Sequence, residues 1–87
     1  MAVEWRDGRM DLTGKVIKVG TEADNDIVLS DPTVDLYHCR LERSGGDWFL
    51  INVSPRETIV NSGRINGRFR LSAGDIVRVG QSVLRLL

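Results

Sequence analysis

The chain has one cysteine, one histidine and two prolines; aromatic residues make up only 6%, and neither sign of charge is in excess. A lone cysteine excludes an internal disulfide, so the fold does without that staple and suits a reducing compartment, with the cytoplasm as the expected location. Twelve basic residues balance twelve acidic ones, so no global field draws the protein toward nucleic acid or a membrane surface. No apolar run approaches the roughly 20 residues of a membrane-spanning helix, and there is no signal-peptide core. A soluble chain without membrane contact is therefore expected. Scattered arginines without interleaved aromatics also argue against a nucleic-acid partner.

What is present describes a small globular unit. The 87 residues fit one domain, 1–87, either alone or as a module of a longer protein, burying roughly 60–65% of its unfolded surface. A hydrophobic fraction of 41% argues against disorder. Ten of the twelve basic residues are arginine, which favours fixed ion pairs and interface contacts over generic solubility.

Nine glycines punctuate short alternating runs. Val3 to Trp5, a turn at Arg6-Asp7-Gly8, and the alternation through Met10 and Leu12 read as a hairpin. Lys15 to Val19 is β-branched and strand-like, and Ile27 to Leu29 is a short, wholly apolar strand expected at the centre of a sheet. Val34, Tyr37, His38 and Leu41 fall at helical spacing, yet His38 to Arg43 also reads as a strand returning through Gly45-Gly46 to Trp48–Val53. The strand reading fits its neighbours better. Further short strands are expected at Thr58–Asn61, Arg68–Leu71, Ile76–Val79 and Val83–Leu86, with turns at Ser62-Gly63, Gly67 and Ser72–Asp75. The sum is an all-β, antiparallel β-sandwich of about ten to eleven short strands with no substantial helix.

The stretch from Gly20 to Leu41 concentrates the chemistry. It holds five carboxylates (Glu22, Asp24, Asp26, Asp31 and Asp35), and no lysine or arginine separates them. From Arg56 to the end, six arginines face two carboxylates. The plainest reading is that these are solvated loops and faces that attract each other across the sandwich. His38 beside Cys39 suggests a thiol and its base, but adjacent strand residues point to opposite faces and cannot form that pair. Cys39 reads as a small buried hydrophobe. Asp24-Asn25-Asp26 lacks the spaced ligands and terminal glutamate of a calcium loop, so no metal or cofactor is expected. Without a nucleophile–base pair, metal-ligand spacing or a nucleotide loop, an enzyme is not expected.

The order of landmarks resembles the forkhead-associated (FHA) domain. Gly20, Asp26, Ile27, Leu29, Asp31, Val34, His38 and Leu41 stand where that family's central stretch has its marker residues. Trp48 to Val53 resembles the W-x-L-x-D-L strand, and Thr58, Val60, Asn61 and Gly63 resemble the loop that follows it. Leu71, Gly74-Asp75-Ile76 and Val79-Gly80 resemble the closing segment. The resemblance covers about residues 14 to 86 and implies an eleven-stranded β-sandwich that reads phosphothreonine in a partner protein. It also implies structural roles for Gly20, His38, Trp48, Gly74 and Asp75.

The phosphate-reading positions depart from the family. Thr21 stands where the family has arginine, Asp35 where it has serine, Leu36 where it has arginine, and Arg56-Glu57 where it has the Asn-Gly pair. A phosphothreonine with about −1.5 to −2 charges needs charge-assisted donors, and these exchanges remove donors and add a carboxylate. The expectation is a phosphate-independent protein-interaction or scaffold module. Its partner-binding loops would present Thr21, Asp35, Leu36, Tyr37, Arg56, Glu57 and Asn61, over tips at Glu22–Asp26, Asp31–Tyr37 and Pro55–Glu57. The alternative is a phosphothreonine pocket rewired around Arg56. By resemblance, degenerate members of this kind serve as scaffold parts, some as cytoplasmic domains of membrane-anchored secretion machinery.

Overall fold

A computed structural model describes all residues, 1–87, and contains eleven β-strands and no helix. They are β1 (Ala2–Trp5), β2 (Gly8–Asp11), β3 (Val16–Gly20), β4 (Ile27–Val28), β5 (Cys39–Ser44) and β6 (Asp47–Asn52), followed by β7 (Thr58–Val60), β8 (Gly63–Arg64), β9 (Arg68–Arg70), β10 (Ile76–Val79) and β11 (Ser82–Leu86). One sheet has the order β2-β1-β11-β10-β7-β8, the other β4-β3-β5-β6-β9. No helix is long and apolar enough to cross a membrane.

Period-two patterning drives the assembly. Ile17, Val19, Cys39, Leu41, Trp48 and Leu50 point inward from one sheet, and Val3, Val60, Val77, Val79, Leu84 and Leu86 from the other. Each fully buried aliphatic side chain contributes about 1.5–3 kcal/mol, and for a chain of this length that layer is the main source of stability. The β5–β6 hairpin closes tightly because Gly45 and Gly46 adopt φ of +59° and +87°, between paired Ser44 and Asp47. The β7–β8 hairpin uses the same turn at Asn61 (φ +50°) and Ser62 (φ +75°), which leaves Gly63 inside β8 rather than in the turn.

Two expectations need correction, both at β4. Ile27–Val28 is an edge strand, not a central one, and it pairs with β3 in parallel, so the sandwich is not wholly antiparallel. An apolar run signals burial, and Ile27 and Leu29 are buried by the facing sheet and the loops, while Val28 points out at 40% exposure. The helical spacing after Thr33 forms no helix: Asp31 takes the Thr33 amide (2.8 Å) and holds a turn there. Tyr37, the second member of that pattern, faces solvent.

Candidate functional site

Four loops meet where β3 ends and β5 begins: residues 21–26, 29–38, 53–57, and Gly80 with Gln81. Fully buried His38 ties two of them together. Its amide donates to the Val19 carbonyl (2.9 Å), and its own carbonyl accepts from the amides of Val53 (3.1 Å) and Ser54 (3.0 Å). The ring Nδ1 accepts from the Asp35 amide (3.1 Å), so Nε2 carries the proton and donates to the Glu57 carbonyl (3.2 Å). Both ring nitrogens are thus committed to loop backbone.

Loop 21–26 lies flat on loop 29–38 because residue 20 has no side chain. A Cβ at Gly20 would stand 2.1 Å from the Leu36 carbonyl oxygen. That carbonyl accepts from Asn25 Nδ2 (2.9 Å) and the Glu22 amide (3.3 Å), while the Thr21 amide donates to the Asp35 carbonyl (3.1 Å). Asp31 fastens the same loop to the β10–β11 turn. Its carboxylate accepts from the Thr33 hydroxyl (2.6 Å) and amide, the Ser82 hydroxyl (2.8 Å) and the Gln81 amide (3.1 Å). These donors, the Thr33 hydroxyl foremost, hold its pKa down at about 2.

At the apex stand Asp35, Ser54 and Arg56. The Ser54 hydroxyl donates to Asp35 Oδ2, and Arg56 Nε lies 4.0 Å from Asp35 Oδ1. Ser54 Oγ accepts in turn from the Arg56 amide (2.9 Å), and Arg56 Nη1 reaches the Pro32 carbonyl at 3.4 Å. Asn52 braces the loop from below, donating to the carbonyls of Ser54 (3.1 Å) and Arg56 (2.9 Å) and accepting from the Thr58 hydroxyl (2.9 Å). Beside the apex an open hollow of about 290 Å³ lies between Thr33, Arg56, Glu57 and Arg78. The Glu57 carboxylate turns to Arg64 (2.6 Å).

Leu36 and Tyr37 project from the same end, 57% and 47% exposed. The Tyr37 hydroxyl donates to Asp24 (2.8 Å); that bond, burial and the nearby charges of Asp24 and Glu22 raise its pKa. Thr21, Asp35, Leu36, Tyr37, Arg56 and Glu57 therefore share one end of the sandwich. Asn61 does not join them. It lies at the opposite end of β7, where Nδ2 donates to Asp75 (2.8 Å) and Oδ1 accepts from the Ile76 amide (2.9 Å).

Trp48 packs in the core, Gly74 turns with φ of +93°, and Asp75 accepts from the Ser72 amide at 2.7 Å. Cys39 is buried, and desolvation pushes its thiol up to about 12, so no thiolate forms near neutral pH. Sequence reasoning missed Ser54, Asn52 and the bracing role of Asp31. Their signal was positional: Asn52 fills the carboxylate position of W-x-L-x-D-L, and Ser54 opens the following loop.

A family model for the FHA domain matches residues 17–80. The chain belongs to the FHA domain family. FHA domains serve as protein-interaction modules, not as enzymes. The crystal structure of the FhaA FHA domain complexed with the intracellular domain of Rv3910 matches this FHA domain with a TM-score of 0.88 at 23% identity, covering 97% of this chain and 96% of that one. The FHA domain of the CT664 protein from Chlamydia trachomatis gives 0.89 at 23% identity, over 97% and 92% of the two chains. A structure from a study of phosphothreonine-dependent FHA domain interactions gives 0.86 at 24%, over 99% and 95%. At these identities the likeness establishes the fold. No curated protein matches the sequence.

Proposed function

We propose that residues 1–87 act as one phosphate-independent protein-interaction module in the cytoplasm, docking a protein partner through the loop end. The observation that carries this reading is the apex carboxylate. Asp35 already takes the Ser54 hydroxyl and faces the Arg56 guanidinium, so the donors a phosphate would use are engaged by an internal anion. A dianionic phosphate brought to about 4 Å from that carboxylate meets repulsion on the order of several kcal/mol at an effective dielectric near 20, lessened by solvent. Thr21 and Leu36 supply no compensating cation. The exposed Leu36 and Tyr37 instead suit a surface that packs against a folded partner.

A second reading, phosphothreonine recognition through a rewired pocket, is favoured by one feature. Arg56 and Arg78 flank the open hollow, and neither has a carboxylate within 3.5 Å. A titration with a degenerate phosphothreonine peptide pool, beside the same pool unphosphorylated, separates the two. Equal or absent binding of both pools is expected. Micromolar binding confined to the phosphorylated pool, about −8 kcal/mol, overturns the proposal in favour of the rewired pocket.

A further inference from the structure

The five-stranded sheet turns its outer face away from the core, and two cross-strand rows cover it. One row runs Lys18–Arg40–Ile51–Arg68 across β3, β5, β6 and β9. The next runs Val16–Glu42–Phe49–Arg70. The alternating burial of these strands confirms the face: Ile17, Leu41 and Leu50 are buried, whereas Lys18 and Val16 are exposed and Phe49 and Ile51 only half-buried.

Charge on this face is unbalanced in a patterned way. Arg40 is bonded to Glu42, and Arg70 to Asp47 at 3.3 Å. The Lys18 ammonium and the Arg68 guanidinium, at the two ends of the first row, have no carboxylate within 4 Å; the nearby Asp26 carboxylate takes the Lys18 backbone amide instead, at 2.8 Å. Lys18 also sits directly opposite Arg40, a like-charge cross-strand pair that costs the sheet stability. Arg68 is held ready, its guanidinium 3.7 Å from the Phe49 ring centroid, a stacking that fixes the plane and leaves its N–H edge free. Between these cations Ile51 offers an apolar seat.

We infer that this face docks an acidic, extended segment of a partner protein, at a surface separate from the loop end. The geometry sets the pattern of that segment. Adjacent strands lie about 4.8 Å apart, so Lys18 and Arg68 are separated by about 14 Å, the span of four residues in an extended chain. Residues i and i+4 of such a chain point to the same side as i+2. An acidic residue at i and i+4 thus reaches the two free cations, and an apolar residue at i+2 lands beside Ile51. The partner motif is acid-x-apolar-x-acid.

The test is an amide NMR titration of the intact domain with the peptide Gly-Ser-Glu-Ser-Leu-Ser-Glu-Ser-Gly. Shifts confined to Lys18, Arg40, Ile51, Arg68 and their neighbours are expected, weakening as salt rises. Replacing both glutamates of the peptide by glutamine, or making Lys18→Gln with Arg68→Gln in the domain, weakens binding about tenfold, the combined value of two exposed ion pairs. Both substituted positions are at the surface, and an unchanged spectrum elsewhere shows that the variant folds. Shifts at the loop end, no shifts at all, or equal binding of the glutamine peptide overturn the inference. So does tighter binding of oligo-dT at the same residues, which marks a general polyanion surface.

Discussion

Asp35 and Ser54, nineteen residues apart in sequence, are joined side chain to side chain at the apex of the loop end. A carboxylate stands where the family resemblance puts a hydroxyl, and it takes the Ser54 hydroxyl while the exposed Arg56 guanidinium lies 4.0 Å away. Undoing this bond has a defined outcome. Thr21→Arg, Asp35→Ser and Leu36→Arg together remove the internal anion and supply two cations, each charge-assisted bond contributing about 1.5–3 kcal/mol. Calorimetry with phosphothreonine peptides is expected to show at least a roughly hundredfold gain over the unmodified domain. If the unmodified domain binds as well as the triple variant, Asp35 is no obstacle to phosphate.

Asp31 links acid stability to the same loops. Its pKa is about 2 in the fold against an ordinary 3.8, so the folded state binds its proton less readily than the unfolded chain. Its contribution is full above pH about 3.8 and fades as pH falls through about 2. Asp31→Asn is expected to lower the urea midpoint at pH 7, and the gap to the unmodified domain should narrow steadily as pH falls through that window. A gap that stays constant down to the lower limit would detach the carboxylate from loop stability.

The fold was legible because period-two alternation and glycine turns act locally. Trp48 and Leu50 alternate with Phe49 and Ile51 along β6, and the alternating pair is the buried one. The edge position of Ile27–Val28 was not legible, since burial from the facing sheet leaves the same apolar signature as burial between two strands. The apex was legible only in part. Thr21, Asp35 and Arg56 could be put near one another, but Ser54 and Asp35 meet through a contact that no spacing encodes. Asn61 illustrates the converse, for its neighbour Asp75 belongs to a distant turn that only the β7–β10 pairing brings close.

Ser62 is a place where the chain accepts local strain. Its φ of +75° follows a positive φ at Asn61, the geometry that a two-residue hairpin turn demands and that glycine meets without a Cβ conflict. Left-handed backbone costs an ordinary residue roughly 1–2 kcal/mol, partly offset by the extra freedom glycine gives the unfolded chain. Ser62→Gly is therefore expected to stabilise by about 0.5 kcal/mol, raising Tm by about 3 °C for a domain of this size. A lower Tm would mean that the hydroxyl supports the turn in a way its backbone geometry does not reveal.

His38 tests whether the loop end is one mechanical unit. Its buried ring accepts from the Asp35 amide and donates to the Glu57 carbonyl, so truncation strands one donor and one acceptor and opens a cavity between them. His38→Ala is expected to cost about 2–4 kcal/mol in denaturant unfolding. Because the lost bonds join residues 29–38 to residues 53–57, the local effect should exceed the global one. Limited proteolysis under native conditions should cut the variant within these two loops, at Arg56 in particular, well before the strands are attacked. Unchanged loop cleavage alongside lowered global stability would reduce His38 to a core-packing residue, with the loop end held by Asp31 and Asn52 alone.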